Sequence, residues 1–313
     1  MPDSAFEVTE QQYLGLLDAA SGDVPVFVTR HTMKGVPRTE SIAAYIDAEY
    51  VPLDDIRQVP PPDLLIVTGS NPIETHIEDE PYWDEMVDLL TWGRQHTSSM
   101  LLSCLAAHAG LAIFDGLARQ TLATKCTGVF PQDVDPTQPL AANLPAAGNT
   151  LPHSRLNTIP VDQLKAAGYH VALGSDLVGW SVATRPRSVD QAQVVLVQGH
   201  PEYGPESLLR EYQRDVRRYV RGERDERPIL PIDCVGPEDS AALESLHERV
   251  TTGARDATMA TLVEAFDFDR AGGRAPWTWR ALAITLYENW FAGANQFASN
   301  APAANPASTM RSS

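Results

Sequence analysis

With 313 residues the chain is long enough to bury a sizeable core, as one large α/β domain or one domain with a substantial appendage. Its 24 Lys and Arg against 41 Asp and Glu give a formal charge of −17, which would be repelled by nucleic acid and by anionic membrane surfaces and leaves a small-molecule substrate as the better fit. Three unevenly spaced cysteines without a CxxC pair exclude a disulfide framework and a zinc knuckle, no stretch is apolar enough to span a bilayer, and the start lacks a basic region followed by an apolar core, so the cytoplasm is the expected location.

Thr9 followed by Gln12 reads as a capping box for an opening helix that carries Tyr13, Leu14, Leu16 and Leu17. Three β-type runs follow, over residues 24–29, 63–69 and 98–103, and between the last two Trp83, Met86, Val87 and Leu90 recur at helical spacing and predict a helix over 82–96. This alternation predicts an α/β fold with a doubly wound, mainly parallel sheet, whose functional groups gather at the carboxyl ends of the strands. Cys104 occupies such an end, directly before the helix-like run from Leu105 to Ala109.

After Leu117 the pattern loosens, and Pro131, Pro136, Pro139 and Pro145 mark a looped region ahead of Pro152-His153-Ser154-Arg155. Strand-like runs over 168–174 and 178–183 predict a hairpin, and the apolar run 194–198 then delivers Gly199-His200-Pro201-Glu202. Residues 205–221 read as a helix with Leu208, Leu209, Tyr212 and Val216 on one face and a basic stripe of Arg210, Arg214, Arg217 and Arg218, ordinarily a solvated face. Residues 237–272 look like one or two acidic helices inserted into the domain, and the Ala-, Asn-, Ser- and Pro-rich tail reads as disordered. One domain over 1–292 followed by a tail over 293–313 is the expected division.

A thiol at a strand-to-helix turn meets backbone N–H groups and the positive end of the helix, which makes Cys104 a candidate nucleophile. His200 and Glu202, leaving another strand end together, complete the parts of a nucleophilic triad. Cys126 and Cys234 read as inert buried thiols, and His108 and His153 as hydrogen-bonding groups around the site. A Cys…His-x-Glu set also occurs in glutamine amidotransferase-like amidohydrolases, though those flank the nucleophile with glycines where this chain has Ser103 and Leu105. A non-catalytic scaffold of the same fold is the third reading.

Several segments together resemble the homoserine O-succinyltransferase family, acyl-CoA-dependent enzymes of methionine biosynthesis on a flavodoxin-like, class I glutamine amidotransferase-like fold. They are Leu65-Ile66-Val67-Thr68-Gly69, Tyr82-Trp83, Cys104 to Ala109, Lys125 with Gly128-Val129-Phe130, Pro152 to Arg155, Gly199 to Tyr203, Glu211 to Asp215, and near the end Trp279-Arg280 and Asn289-Trp290. The resemblance implies a homoserine O-acyltransferase with Cys104 as the acylated nucleophile, His200 as general base and Glu202 orienting it. It also implies that Lys125, Ser154 and Arg214 bind substrate, that the backbone N–H groups of Leu105 and Ser70 stabilise the oxyanion, and that acyl-CoA is a co-substrate with no metal or redox cofactor required. A homodimer is the oligomer it suggests.

The chain departs from the family pattern in three places. Leu105 and His108 stand where the family usually has Trp and Gln. In the loop that selects the acyl donor in the family, the selecting position is Ile73 on an ungapped alignment and Glu74 when aligned on Pro-x-Glu; either residue crowds or repels a succinyl carboxylate and favours acetyl-CoA, whereas the family label favours succinyl-CoA. The family's opening strand, which runs into a Met-Pro dipeptide, has no counterpart ahead of Met1-Pro2, so the first strand is expected to be missing and the natural start is expected upstream.

Overall fold

The computed structural model describes residues 3–57, 60–70 and 72–300. Its centre is a six-stranded sheet. Three of the strands are parallel neighbours: β1 (Leu64–Val67), β2 (Ser99–Ser103) and, much later in the chain, a strand over Gln193–Val197 that is β8 in chain order. The sheet continues antiparallel through β7 (Gly179–Arg185) and β6 (His170–Ser175) to the two-residue β4 (Asp133–Val134). The expected hairpin over 168–183 is therefore present as β6 and β7.

Successive residues of the parallel strands feed opposite faces, as the two-residue period of a strand requires. On one face Leu101, Val195 and Val197 join a core with α1 (Phe6–Ser21), α6 (Ser207–Val220) and α10 (Arg280–Asn300). On the other, Met100, Leu102, Val194 and Leu196 pack with α3 (Trp83–His96) and α4 (Leu105–Asp115). Every residue of β2 is buried, which explains its unbroken apolar run.

Several expectations are corrected. The region after Leu117 is not merely looped: β3 (Gln120–Pro131) and β5 (Thr150–Thr158) form a separate two-stranded antiparallel ribbon. The Pro-rich stretch is the connection between them. Pro152 to Arg155 lies within β5, where Ser154 pairs with Thr127 and Arg155 with Cys126. α1 starts at Phe6, so Thr9 sits inside the helix rather than capping it, and Gln12 instead donates from Nε2 to Ser207 Oγ at 2.8 Å.

Helix α2 (Glu40–Glu49) and the one-turn-and-a-half α5 (Val161–Ala166) connect strand-like segments without touching the site's chemistry. The 237–272 stretch holds three helices rather than one or two: α7 (Pro237–Thr252), α8 (Ala257–Ala265) and α9 (Phe268–Gly273). They pack on α6 through Leu243, Leu246, Val250 and Val263. α10 runs to Asn300, into the stretch expected to be disordered, while 301–313 lie outside the described residues.

Residues 24–29, expected as a strand, form none. Val24, Val26 and Val28 are half-exposed and Phe27 is 93% exposed. Among the described residues no strand pairs with the outer edge of β1. A cavity of about 510 Å³ is lined by residues 24–33, by residues 62–70 and by side chains of α1, α3 and α10. A strand exists only by its ladder, at about 4.8 Å from a neighbour. Residues 24–29 and β1 make no such ladder.

Hydrogen exchange should report this directly. Amides of residues 26–29 are expected to exchange at least about a hundredfold faster than those of β2, whose ladders are complete on both sides. Comparable protection of the two segments would contradict the absence of pairing.

Candidate active site

β2 delivers Cys104 into a sharp turn. The residue has φ 53° and ψ −112°, a region that residues with side chains rarely occupy, and it is followed at once by the first residue of α4. Its N–H donates to Val197 O at 2.7 Å, which ties the turn to the end of β8. Its carbonyl accepts from Ala107 N and His108 N, closing the first helical turn. Cys104 thus stands at the carboxyl edge of the sheet, at the amino end of a helix whose first N–H groups have no partner within the helix.

Gly69, at the end of β1, packs against this turn. A Cβ there would lie 3.0 Å from Leu105 N and 3.2 Å from Cys104 Cβ, so the bare backbone is what allows the approach. Leu105 N–H therefore faces the strand end that carries Gly69 and Ser70, the two places expected to supply oxyanion donors.

β8 delivers His200 to the same edge. Its N–H donates to Pro152 O at 2.8 Å, fixing the loop to the ribbon, and its Nδ1 lies 2.7 Å from Glu202 Oε1. The Cys104 side chain lies close enough to the ring to act on its charge. Burial disfavours the charged imidazole, but the Glu202 carboxylate and the Cys104 sulfur outweigh it and hold His200 well above its ordinary value. Glu202 is only 3% exposed, so this attraction is little screened by water. The three residues expected to form a triad are thus brought together from β2 and β8.

The residues expected to bind substrate lie beside them, between the ribbon and α6. Ser154 Oγ hydrogen-bonds Glu211 Oε2. Lys125 Nζ is 3.4 Å from Asp215 Oδ2 and 3.7 Å from Glu211 Oε2, and Arg214 Nη2 is 3.3 Å from Asp215 Oδ1. Arg224 also reaches Asp215, at 3.3 Å. Lys125, Ser154 and Arg214 therefore share one hydrogen-bonded and ion-paired cluster, organised by two carboxylates that motif reading left without a role. Their signal was the helical spacing of Glu211 and Asp215, which places both on one side of α6.

Ile73 and Glu74 lie on a fixed outer loop. Both backbone N–H groups donate to Glu80 Oε1, at 2.8 and 3.0 Å, and Arg119 Nη2 donates to the carbonyls of Glu74 and Thr75. Both side chains are exposed.

Beneath the site lies a buried polar layer. His108 Nε2 meets Gln198 Oε1 at 3.1 Å, Gln198 Nε2 donates to Trp180 O, and His153 Nε2 meets Ser181 Oγ at 2.9 Å. Burial pushes His108 down to about 4 and, with Arg155 nearby, takes His153 well below its usual value, so both rings stay neutral. Arg155 is held by the carbonyls of Asn157 and Val178. Partial burial raises the Cys126 thiol and burial pushes Cys234 up to about 12; of the two thiols expected to be buried, Cys234 is and Cys126 is half-exposed. Among the described residues, no group of three or more His, Cys, Asp or Glu is arranged to hold a metal ion.

Comparison with known proteins matches residues 1–297 to the family model described as homoserine O-succinyltransferase. A homoserine O-succinyltransferase of Rhodopseudomonas palustris is 37% identical over 262 residues, covering 84% of this chain and 77% of that protein. One of Cardiobacterium hominis is 34% identical over 293 residues, covering 93% and 79%. Among solved structures, a glutamine amidotransferase of Thermotoga maritima superposes with a TM-score of 0.45 at 11% identity, over 86% of this chain and 99% of that one.

The neutral histidines give the pH dependence of stability a sign. The unfolded chain protonates His108 below about 6.5, while the folded chain resists until about 4, so stability falls as pH drops through that interval, and His153 adds to the slope. His108→Gln removes one of these titrations and should make the fall in Tm between pH 6.5 and 4 shallower. A slope equal to that of the wild type would contradict the account.

Proposed function

The chain belongs to the homoserine O-succinyltransferase family, and from that premise we propose that it transfers an acyl group from acyl-CoA to the hydroxyl of L-homoserine through a thioester on Cys104. The observation that carries this reading is the Cys104 turn, which sets the sulfur against the buried His200–Glu202 pair.

In the first half-reaction the Cys104 sulfur attacks the thioester carbonyl, forming an S–C bond and a tetrahedral oxyanion. The N–H groups of Leu105 and Ser70 receive that oxyanion. The C–S bond to CoA then breaks, and the His200 imidazolium gives its proton to the departing thiolate. In the second half-reaction the neutral imidazole removes the proton of the homoserine hydroxyl as its oxygen attacks the acyl-enzyme. Collapse of the second oxyanion releases O-acylhomoserine and returns the thiolate–imidazolium pair. Glu202, fixed on Nδ1, keeps Nε2 aimed at the reaction and supports the positive charge that appears on the ring.

Lys125, Ser154 and Arg214 hold the amino-acid end of the acceptor. The Arg214 guanidinium takes the carboxylate, exchanging its contact with Asp215 for a charge-assisted pair. The donor is succinyl-CoA or acetyl-CoA, with Ile73 and Glu74 on the loop that meets the acyl chain. The role is the acyl-activation step of methionine biosynthesis, and no described helix is long and apolar enough to cross a membrane.

The test is release of CoA from acetyl-CoA and from succinyl-CoA in the presence of homoserine. Cys104→Ala should lower kcat by at least about a thousandfold while the protein stays folded. Arg214→Ala should raise the KM for homoserine about ten- to a hundredfold with a smaller effect on kcat, the scale of a lost hydrogen bond to a charged group. Gly69→Ala, whose methyl group would lie 3.0 Å from Leu105 N, should lower kcat about tenfold or more, measured on the folded fraction, and lower Tm as the turn gives way. Release of ammonia from glutamine without CoA release would overturn the reading in favour of an amidohydrolase.

A further inference from the structure

The ring of Tyr203 lies flat on the His200 imidazole, with centroids 4.2 Å apart and planes 19° from parallel. Its backbone carbonyl accepts from the indole N–H of both Trp277, at 3.0 Å, and Trp279, at 2.9 Å. Its hydroxyl donates to Glu211 Oε1 at 2.6 Å. The other oxygen of Glu211 takes Ser154 and stands 3.7 Å from Lys125 Nζ. One side chain therefore spans the distance between the group that moves the proton and the pocket assigned to the acceptor.

We propose that Tyr203 is a positioning residue of the acyl-transfer reaction, holding the plane of His200 through its ring and coupling that placement to the acceptor pocket through its hydroxyl and Glu211. The proposal rests on the acyl-transfer reading given above. Glu202 holds the His200 edge at Nδ1, and that single bond does not fix the tilt of the ring about it. A stacked aromatic face does so, because tilting the imidazole would drive its atoms into the tyrosine ring.

Two tryptophans hold the backbone of Tyr203, so the ring has a rigid base. What remains adjustable is the small movement of the ring and its hydroxyl together about that base. When an acceptor engages Ser154 or Lys125, Glu211 rebalances between its partners, and the Tyr203 hydroxyl follows the carboxylate oxygen it bonds. His200 must serve both half-reactions, protonating CoA in one and deprotonating homoserine in the other. Only the second involves an occupied acceptor pocket. The two parts of Tyr203 should accordingly separate by half-reaction.

The experiment measures the halves apart on the intact protein: CoA released by acyl-CoA alone, and decay of the isolated acyl-enzyme with homoserine or with water. Tyr203→Phe keeps the stacked ring and loses the tether. It should acylate within about twofold of the wild type, deacylate to homoserine about tenfold or more slowly, and leave hydrolysis by water unchanged. Tyr203→Leu loses both parts and should slow both half-reactions, with folding of each variant checked by Tm. Equal slowing of the two halves in Tyr203→Phe, or no slowing in either variant, would overturn the proposal while the acyl-transfer reading stands. A folded wild type that takes no acyl group would overturn the acyl-transfer reading itself, and the proposal with it.

Discussion

Between Ser103 and Leu105 the backbone passes through a conformation that a residue with a side chain adopts only when its surroundings enforce it, at a cost of about 1–3 kcal/mol. The enforcement is visible on each side. The Cys104 N–H is taken by Val197 O, its carbonyl starts α4, and Gly69 leaves room for the turn against β1. Because Val197 ends β8, the same hydrogen bond that shapes the nucleophile's turn also sets the height at which His200 leaves the neighbouring strand. The geometry of the triad follows from the β2–β8 pairing rather than from any contact between loops.

That pairing is protected by what lies on either face. The alternating side chains of β2 and β8 feed two separate apolar cores, and apart from Gln193 at the start of β8 both strands are buried. At the carboxyl edge the apolar layers give way to the buried polar layer of His108, Gln198, His153 and Ser181. Each of these groups has a partner, so the layer supports the turn without leaving a polar group unpaired at low dielectric. Charge is carried by the triad, by Arg155, whose guanidinium is held by the carbonyls of Asn157 and Val178, and by the cluster beyond, where Glu211 and Asp215 are set against Lys125, Arg214 and Arg224.

The strands that carry chemistry were legible because each is buried on both faces and reads as an unbroken apolar run that stops at a polar residue: Ser103 before Cys104, Gln198 before His200. The amphipathic helices α3 and α6 were legible through their spacing. What failed is what depends on distant partners. Residues 24–29 have a strand's composition but no ladder, and β3 and β5 are separated by prolines that mark their connection and hide the ribbon. Glu211 and Asp215 escaped notice because a carboxylate on a helix that also carries a basic stripe reads as one of many surface ion pairs. Only their place opposite the β3–β5 ribbon shows that they face Ser154 and Lys125. Tyr203 carried no signal of its own beyond its place next to Glu202, since its role arises from a stack and a tether formed after folding.

The central claim is that Cys104 becomes acylated, and the measurement closest to it is the intact mass of the protein after mixing with acetyl-CoA and succinyl-CoA together, without acceptor. The account predicts a single acyl adduct that identifies the preferred donor, is absent from Cys104→Ala, and disappears when homoserine is added. A folded protein that gains no mass, or an adduct that persists in Cys104→Ala, would contradict it.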